Sequence, residues 1–120
     1  MKTFLLLFSF IFLPFSIKAE TLDCFFDDYS QSSYPLKMAK SWVPENQTIK
    51  IEDDKVKLWK FSAPLMKSGP KYRWSIDVST EKTEVTLEYT YFTTNNKIAV
   101  DVDFKRYRDI SPVWGKCSVN

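Results

Sequence analysis

The sequence predicts an all-β domain: a small antiparallel meander of about seven strands, curled into a closed or nearly closed barrel. Three observations predict it. From Tyr72 to Phe104, apolar and polar residues alternate strictly in three runs, the period of strands with one buried and one wet face. The phase of that alternation flips where turn-forming residues stand, at Thr80-Glu81-Lys82 and at Asn95-Asn96. A cysteine lies near each end of the domain, Cys24 and Cys117, and a bond between them requires the sheet to curl. A β-sandwich meets the same conditions and is the alternative architecture.

In chain order, Met1-Lys2-Thr3 precedes an apolar run from Phe4 to Ile17, and Lys18-Ala19 closes it. A positive start, a short apolar stretch and a small residue at the exit predict a secretory signal peptide over residues 1–19, cut before Glu20. The run is shorter than the roughly 18 residues a membrane span requires. Residues 20–120 then form a single β domain, exported to a periplasm or to the outside. In an oxidising compartment the cysteine pair predicts one end-to-end disulfide, worth about 4–5 kcal/mol in the chain-entropy model.

Thr21 to Tyr29 alternates Leu22, Cys24 and Phe26 against Asp23, Phe25 and Asp27 and reads as the first strand. A polar loop follows to Pro35. Leu36 to Val43 fits either period, with Leu36, Ala39 and Val43 on a helical stripe or Leu36, Met38 and Trp42 on a strand face; its shortness favours an irregular or strand-like segment. Ile49 to Phe61 reads as a hairpin about Asp53-Asp54, pairing Glu52 with Lys55, Ile51 with Val56 and Ile49 with Leu58. Ser62 to Lys71, with two prolines and Gly69, reads as the longest loop.

A turn at Glu81-Lys82 pairs Val78 with Val85, Ile76 with Leu87, Trp74 with Tyr89 and Tyr72 with Tyr91, so that every inward residue meets an inward residue. A tight turn at Asn95-Asn96 is the preferred second hairpin, pairing Tyr91 with Val100 and setting Glu88 against Asp103. A four-residue loop, expected to set Glu88 opposite Lys105, is the alternative. Arg106-Tyr107 breaks the alternation, Asp109 to Pro112 reads as a loop, and Val113 to Val119 as the closing strand.

Composition narrows the function. The chain has 17 Lys+Arg against 15 Asp+Glu; Lys2 and Lys18 lie in the leader, so the mature domain is close to neutral. A neutral body is not steered to nucleic acid or to anionic membrane, and no nucleic-acid partner is expected. The mixed run Lys105-Arg106-Tyr107-Arg108 reads as a solvated strand end. Histidine is absent, which removes the usual general base and the common nucleophile–base pairs. Two glycines make no phosphate-cradling loop.

The carboxylate groups Asp27-Asp28, Glu52-Asp53-Asp54 and Asp101 with Asp103 read as turn formers or wet-face residues, with no spacing that marks a calcium loop. No catalytic residue, metal or cofactor is therefore expected. Asn46-Gln47-Thr48 fits the glycosylation sequon. Trp42, Trp59, Phe25, Phe61 and Phe92 have no evident place on the inward face. A second core or irregular barrel ends would absorb them, and a shared surface patch would mark a partner site.

The leader, the bracketing cysteines and the closing Gly115-Lys116-Cys117 resemble those of small exported bacterial β proteins of unknown function. The plan is also similar to that of the periplasmic inhibitors of c-type lysozyme, eight-stranded barrels with a disulfide tying the two ends. Ser68-Gly69-Pro70-Lys71-Tyr72 matches their inhibitory loop in outline, with Pro70 a departure from it. The resemblance implies that Ser68 and Lys71 enter an enzyme's active site. A Gly/Pro loop entering a strong strand is also, on physical grounds, a place to build a rigid recognition element. The expected function is an exported, non-enzymatic β domain that binds a protein partner through Ser68, Gly69, Lys71 and Tyr72, with a cell-wall hydrolase as the target. The alternative is a small-barrel carrier of an apolar ligand.

Overall fold

The structure, a computed structural model, describes residues 19–32, 35–105 and 110–120. The residues before Ala19, read above as a signal peptide, and residues 106–109 lie outside the described residues. The chain forms β1 (Ala19–Asp28), α1 (Leu36–Trp42), β2 (Asn46–Glu52), β3 (Lys55–Leu58), β4 (Phe61–Pro64), β5 (Met66–Ser68), β6 (Lys71–Asp77), β7 (Val85–Phe92), β8 (Lys97–Phe104) and β9 (Ile110–Val119). Their order in the single antiparallel sheet is β4-β3-β2-β1-β9-β8-β7-β6-β5. Two hairpin meanders, β1–β4 and β5–β9, are thus joined through β1 and β9, and the sheet curls into a nearly closed barrel.

The first joint is a ladder between β1 and β9. Cys24 lies directly opposite Cys117 in that ladder, and the two form the predicted disulfide. The ladder is interrupted by a bulge between Phe26 and Asp28. There β1 presses against Gly115: a Cβ at that position would meet the Phe25 carbonyl oxygen at 2.4 Å. Only glycine fits so close an approach.

The second joint is different. The pairing partners show that β4 and β5 run in the same direction, separated by Leu65 alone. They are two halves of one bent strand, which pairs first with β3 and then with β6. Leu65 is buried at the bend, and its N–H donates to the Asp54 carbonyl at 2.7 Å. Beyond the bend, β4 lies against β6 without a hydrogen-bonded ladder. Counting the bent strand once, the wall has eight staves.

Several expectations hold residue for residue. The β6–β7 hairpin pairs Tyr72 with Tyr91, Trp74 with Tyr89 and Ile76 with Leu87, and Val78 N–H donates to the Val85 carbonyl. The β2–β3 hairpin pairs Ile49 with Leu58, Ile51 with Val56 and Glu52 with Lys55, and Asp53 takes a positive φ of 53° in the turn.

Other expectations are corrected. The segment after Pro35 is a helix, not an irregular or strand-like run. Ala39 and the following Val43 are buried while Leu36 and Met38 are exposed, so two of the three residues of the helical stripe meet the barrel core. Trp42 packs edge-on against Phe104, 5.4 Å between ring centroids, and the Tyr29 hydroxyl donates to the Val43 carbonyl at 2.6 Å.

The β7–β8 connection is the four-residue loop Thr93 to Asn96, not the tight turn. It sets Tyr89 opposite Val100 and Leu87 opposite Val102. Glu88 faces Asp101, so neither the Asp103 pairing of the tight turn nor the expected Lys105 pairing occurs. The asparagines act as acceptors here: Asn95 Oδ1 receives the Lys97 N–H at 3.1 Å, and Asn96 Oδ1 receives the Tyr91 hydroxyl. Ser62 to Lys71 is not a loop but the bent strand and a two-residue turn. Ile110 to Pro112 belongs to β9, where Pro112 sits in a register irregularity, the position in a sheet that tolerates proline.

Large side chains fill the interior: Trp74, Tyr89, Phe26, Leu22, Ile49, Leu58, Leu87 and Ile98 are all fully buried. Trp74 and Tyr89 stack, 5.2 Å apart at 10°. One polar side chain joins them, Gln47, which accepts from the Tyr89 hydroxyl at 2.7 Å and donates to the Pro44 carbonyl at 3.1 Å. That bond crosses the interior from one meander to the other.

Candidate functional site

Residues Ser68 to Tyr72 form a tight hairpin at the barrel end opposite α1. Ser68 ends β5, Lys71 begins β6, and the two are register partners. Gly69 takes φ +59° and Pro70 follows it. A glycine at positive φ ahead of a residue fixed near −65° is the pattern that joins twisted antiparallel strands in two residues. The sequence therefore builds a stiff corner, with the Ser68 hydroxyl and the Lys71 ammonium exposed on either side of it.

The corner is fastened from the neighbouring loop. Thr93 donates its backbone N–H to the Pro70 carbonyl at 2.9 Å and its hydroxyl to the same oxygen at 3.2 Å. Tyr72, half-buried, leans on Tyr91 with ring centroids 6.2 Å apart. Lys67 Nζ lies 5.1 Å from the Tyr72 ring centroid, and Lys71 Nζ lies 5.7 Å from that of Phe92. The four residues singled out from the sequence thus share one place, set by main-chain geometry and stiffened by β7. A rigid loop binds without losing conformational freedom, the usual requirement for tight recognition.

The carboxylate groups fall elsewhere and apart. Asp27 and Asp28 end β1, and Ser30 donates both its N–H (3.0 Å) and its hydroxyl (2.6 Å) to Asp28 Oδ1. Those two donors hold the Asp28 carboxyl below its ordinary value. Asp53-Asp54 makes the β2–β3 turn. Asp101 and Asp103 lie on the outer face of β8. Among the described residues, no three cysteines or carboxylates gather as metal ligands.

The unplaced aromatics separate. Trp42 and Phe61 pack against the core, whereas Trp59 in the β3–β4 turn and Phe25 on β1 are about half exposed. Phe92 stacks on Trp114, 6.0 Å apart at 18°, on the outer face of the wall. Sequence reasoning missed this pair, because it depends on the two-step register between β7 and β8. The one signal available was Ala99, a small residue at an outward position between them.

Comparison with known proteins finds no matching family model, no matching curated protein and no matching solved structure. Among the described residues, no helix is long and apolar enough to cross a membrane.

Proposed function

We propose that this chain is an exported, non-enzymatic β domain that binds a protein partner through the Ser68–Tyr72 turn, and that the partner is a cell-wall hydrolase of the lysozyme type. The observation that carries the reading is the fastened Gly69-Pro70 corner, which presents Ser68 and Lys71 as exposed register partners beside Tyr72. A hydroxyl and an ammonium on a stiff protrusion suit a partner cleft that holds carboxylates. Export is supported by the leader pattern and by the disulfide, which persists in oxidising compartments. The absence of histidine and the separation of the carboxylates support a non-catalytic role. The filled interior lends no support to an apolar carrier, which requires an internal cavity.

The test is an inhibition assay. The disulfide-bonded protein, added at one equivalent, is expected to lower the activity of a c-type lysozyme. Ser68→Ala with Lys71→Ala is expected to abolish the effect without moving thermal unfolding, since both side chains are exposed. An unchanged lysozyme rate at several equivalents removes the hydrolase reading.

A further inference from the structure

Outside the turn, the wall carries a second concave feature. The register aligns Lys71, Phe92, Lys97, Lys116 and Phe25 in one row across β6, β7, β8, β9 and β1. At strand spacings of 4.7–4.9 Å the row is roughly 19 Å long. Beside it, Ala99 lies opposite Trp114 and, though outward-facing, is only 6 % exposed. The small Ala99 lets the rings of Phe92 and Trp114 lean together over β8 and form a flat apolar plate on the outside of the barrel. Next to the plate is a cleft of about 370 Å³ whose walls include Trp114, Lys97, Lys116, Asp27, Asp28 and Gln31.

Two features of this cleft are costly unless something binds there. Lys97 and Lys116 lie directly opposite each other, and like charges so placed destabilise a sheet. Lys50 and Lys57 are opposed in the same way, but Lys57 is 3.1 Å from Glu52. Lys97 and Lys116 have no ion-pair partner among the described residues. The second feature is the part-exposed aromatic pair Phe92–Trp114 on the outer face of the wall, a local apolar surface of the kind that collects at binding sites.

We propose that this cleft is a saccharide site whose ligand is a pyranose carrying a carboxylate. The Trp114 ring stacks on the apolar face of the sugar. Lys97 and Lys116 take the carboxylate, which relieves their repulsion. Asp27, Asp28 and the Gln31 amide accept from hydroxyl or amide N–H groups, donors that a sugar has in abundance. The two aspartates decide against a purely acidic peptide, which they would repel. The size fits a ligand of one to three rings. The cleft's lining includes no residue of the Gly69-Pro70 corner, and the proposal does not depend on the partner proposed for that corner.

The test is a titration of the ¹⁵N-labelled, disulfide-bonded protein followed by NMR, with four probes in parallel: a trigalacturonate, a muramic-acid disaccharide, the neutral cellotriose and an oligoglutamate. One of the two acidic sugars is expected to shift the Trp114 indole N–H and the Lys97 and Lys116 amides, and the one that does identifies the source of the carboxylate. Lys97→Ala with Lys116→Ala is expected to weaken that binding at least tenfold with thermal unfolding unchanged or slightly raised, because both side chains are exposed and their charges oppose each other. Ser68→Ala is expected to leave it intact, which separates this site from the turn. The proposal is overturned if neither acidic sugar shifts these signals, if cellotriose binds as well as they do, or if oligoglutamate binds and is lost in the double variant.

Discussion

The barrel is closed at two joints, and they are built in opposite ways. At β1–β9, a hydrogen-bonded ladder, a covalent bond between Cys24 and Cys117, and the close approach at Gly115 lock two strands far apart in sequence. At β4–β6 no ladder forms; one strand bends at Leu65 and changes partner. The first joint holds by directional and covalent bonds, the second by burying side chains at the bend, Leu65 with Ala63 beside it. Robustness is therefore unevenly spread around the wall, and the Gly69-Pro70 corner lies on the softer side, immediately after the bent strand.

The largest effect should come from the locked joint. Replacing Cys24 and Cys117 together by serine is expected to lower unfolding stability by about 4–5 kcal/mol, read from denaturant midpoints. A loss under about 1 kcal/mol would show that the ladder alone holds β1 to β9. Leu65→Ala probes the soft joint and should cost about 2–4 kcal/mol. Hydrogen exchange in that variant should accelerate in β4, β5 and the adjoining edge of β6 before it does in β1 or β9; uniform acceleration would deny that the joints differ.

A smaller effect is expected between them. Tyr89→Phe leaves Gln47 Oε1 without its donor inside the barrel, at about 1–2 kcal/mol. Because that bond spans both meanders, it should weaken the two joints alike. The smallest effect appears in alkali. Burial raises the Tyr89 phenol above its ordinary value, and it also raises that of Tyr29, to about 12, with the Glu45 and Asp27 charges adding to the shift. Groups with a raised folded value contribute stability that is fully present below the unfolded value of 10.0 and is lost as pH climbs through the folded one. Stability should thus be flat to about pH 10 and decline above it, and Tyr89→Phe should soften the decline.

The locked joint was also the legible one. Two cysteines bracketing a period-2 pattern are enough to predict it, and the β6–β7 register follows because a one-residue slip would turn Trp74, Ile76 and Leu87 outward. A slip of two residues preserves every face, so alternation could not choose between the tight Asn95-Asn96 turn and the longer loop. With that choice went the position of Phe92 relative to Trp114, and hence the aromatic pair beside the outer cleft. The soft joint was hidden for another reason. Prolines and a glycine mark Ser62 to Lys71 as loop by local preference, whereas its strand character comes from neighbours on both sides, β3 and β6. The helix was obscured because Leu36, Met38 and Trp42 mimic a strand face, while Ala39, Val43 and Trp42 are the residues that meet the core. Ser68, Gly69, Lys71 and Tyr72 could be singled out together because their arrangement is local to five residues.

Every ladder in the wall except β1–β9 joins strands that follow one another along the chain. The β1–β9 ladder instead closes a loop spanning 93 residues, the costliest closure in the wall for the unfolded chain, and the disulfide sits on that ladder.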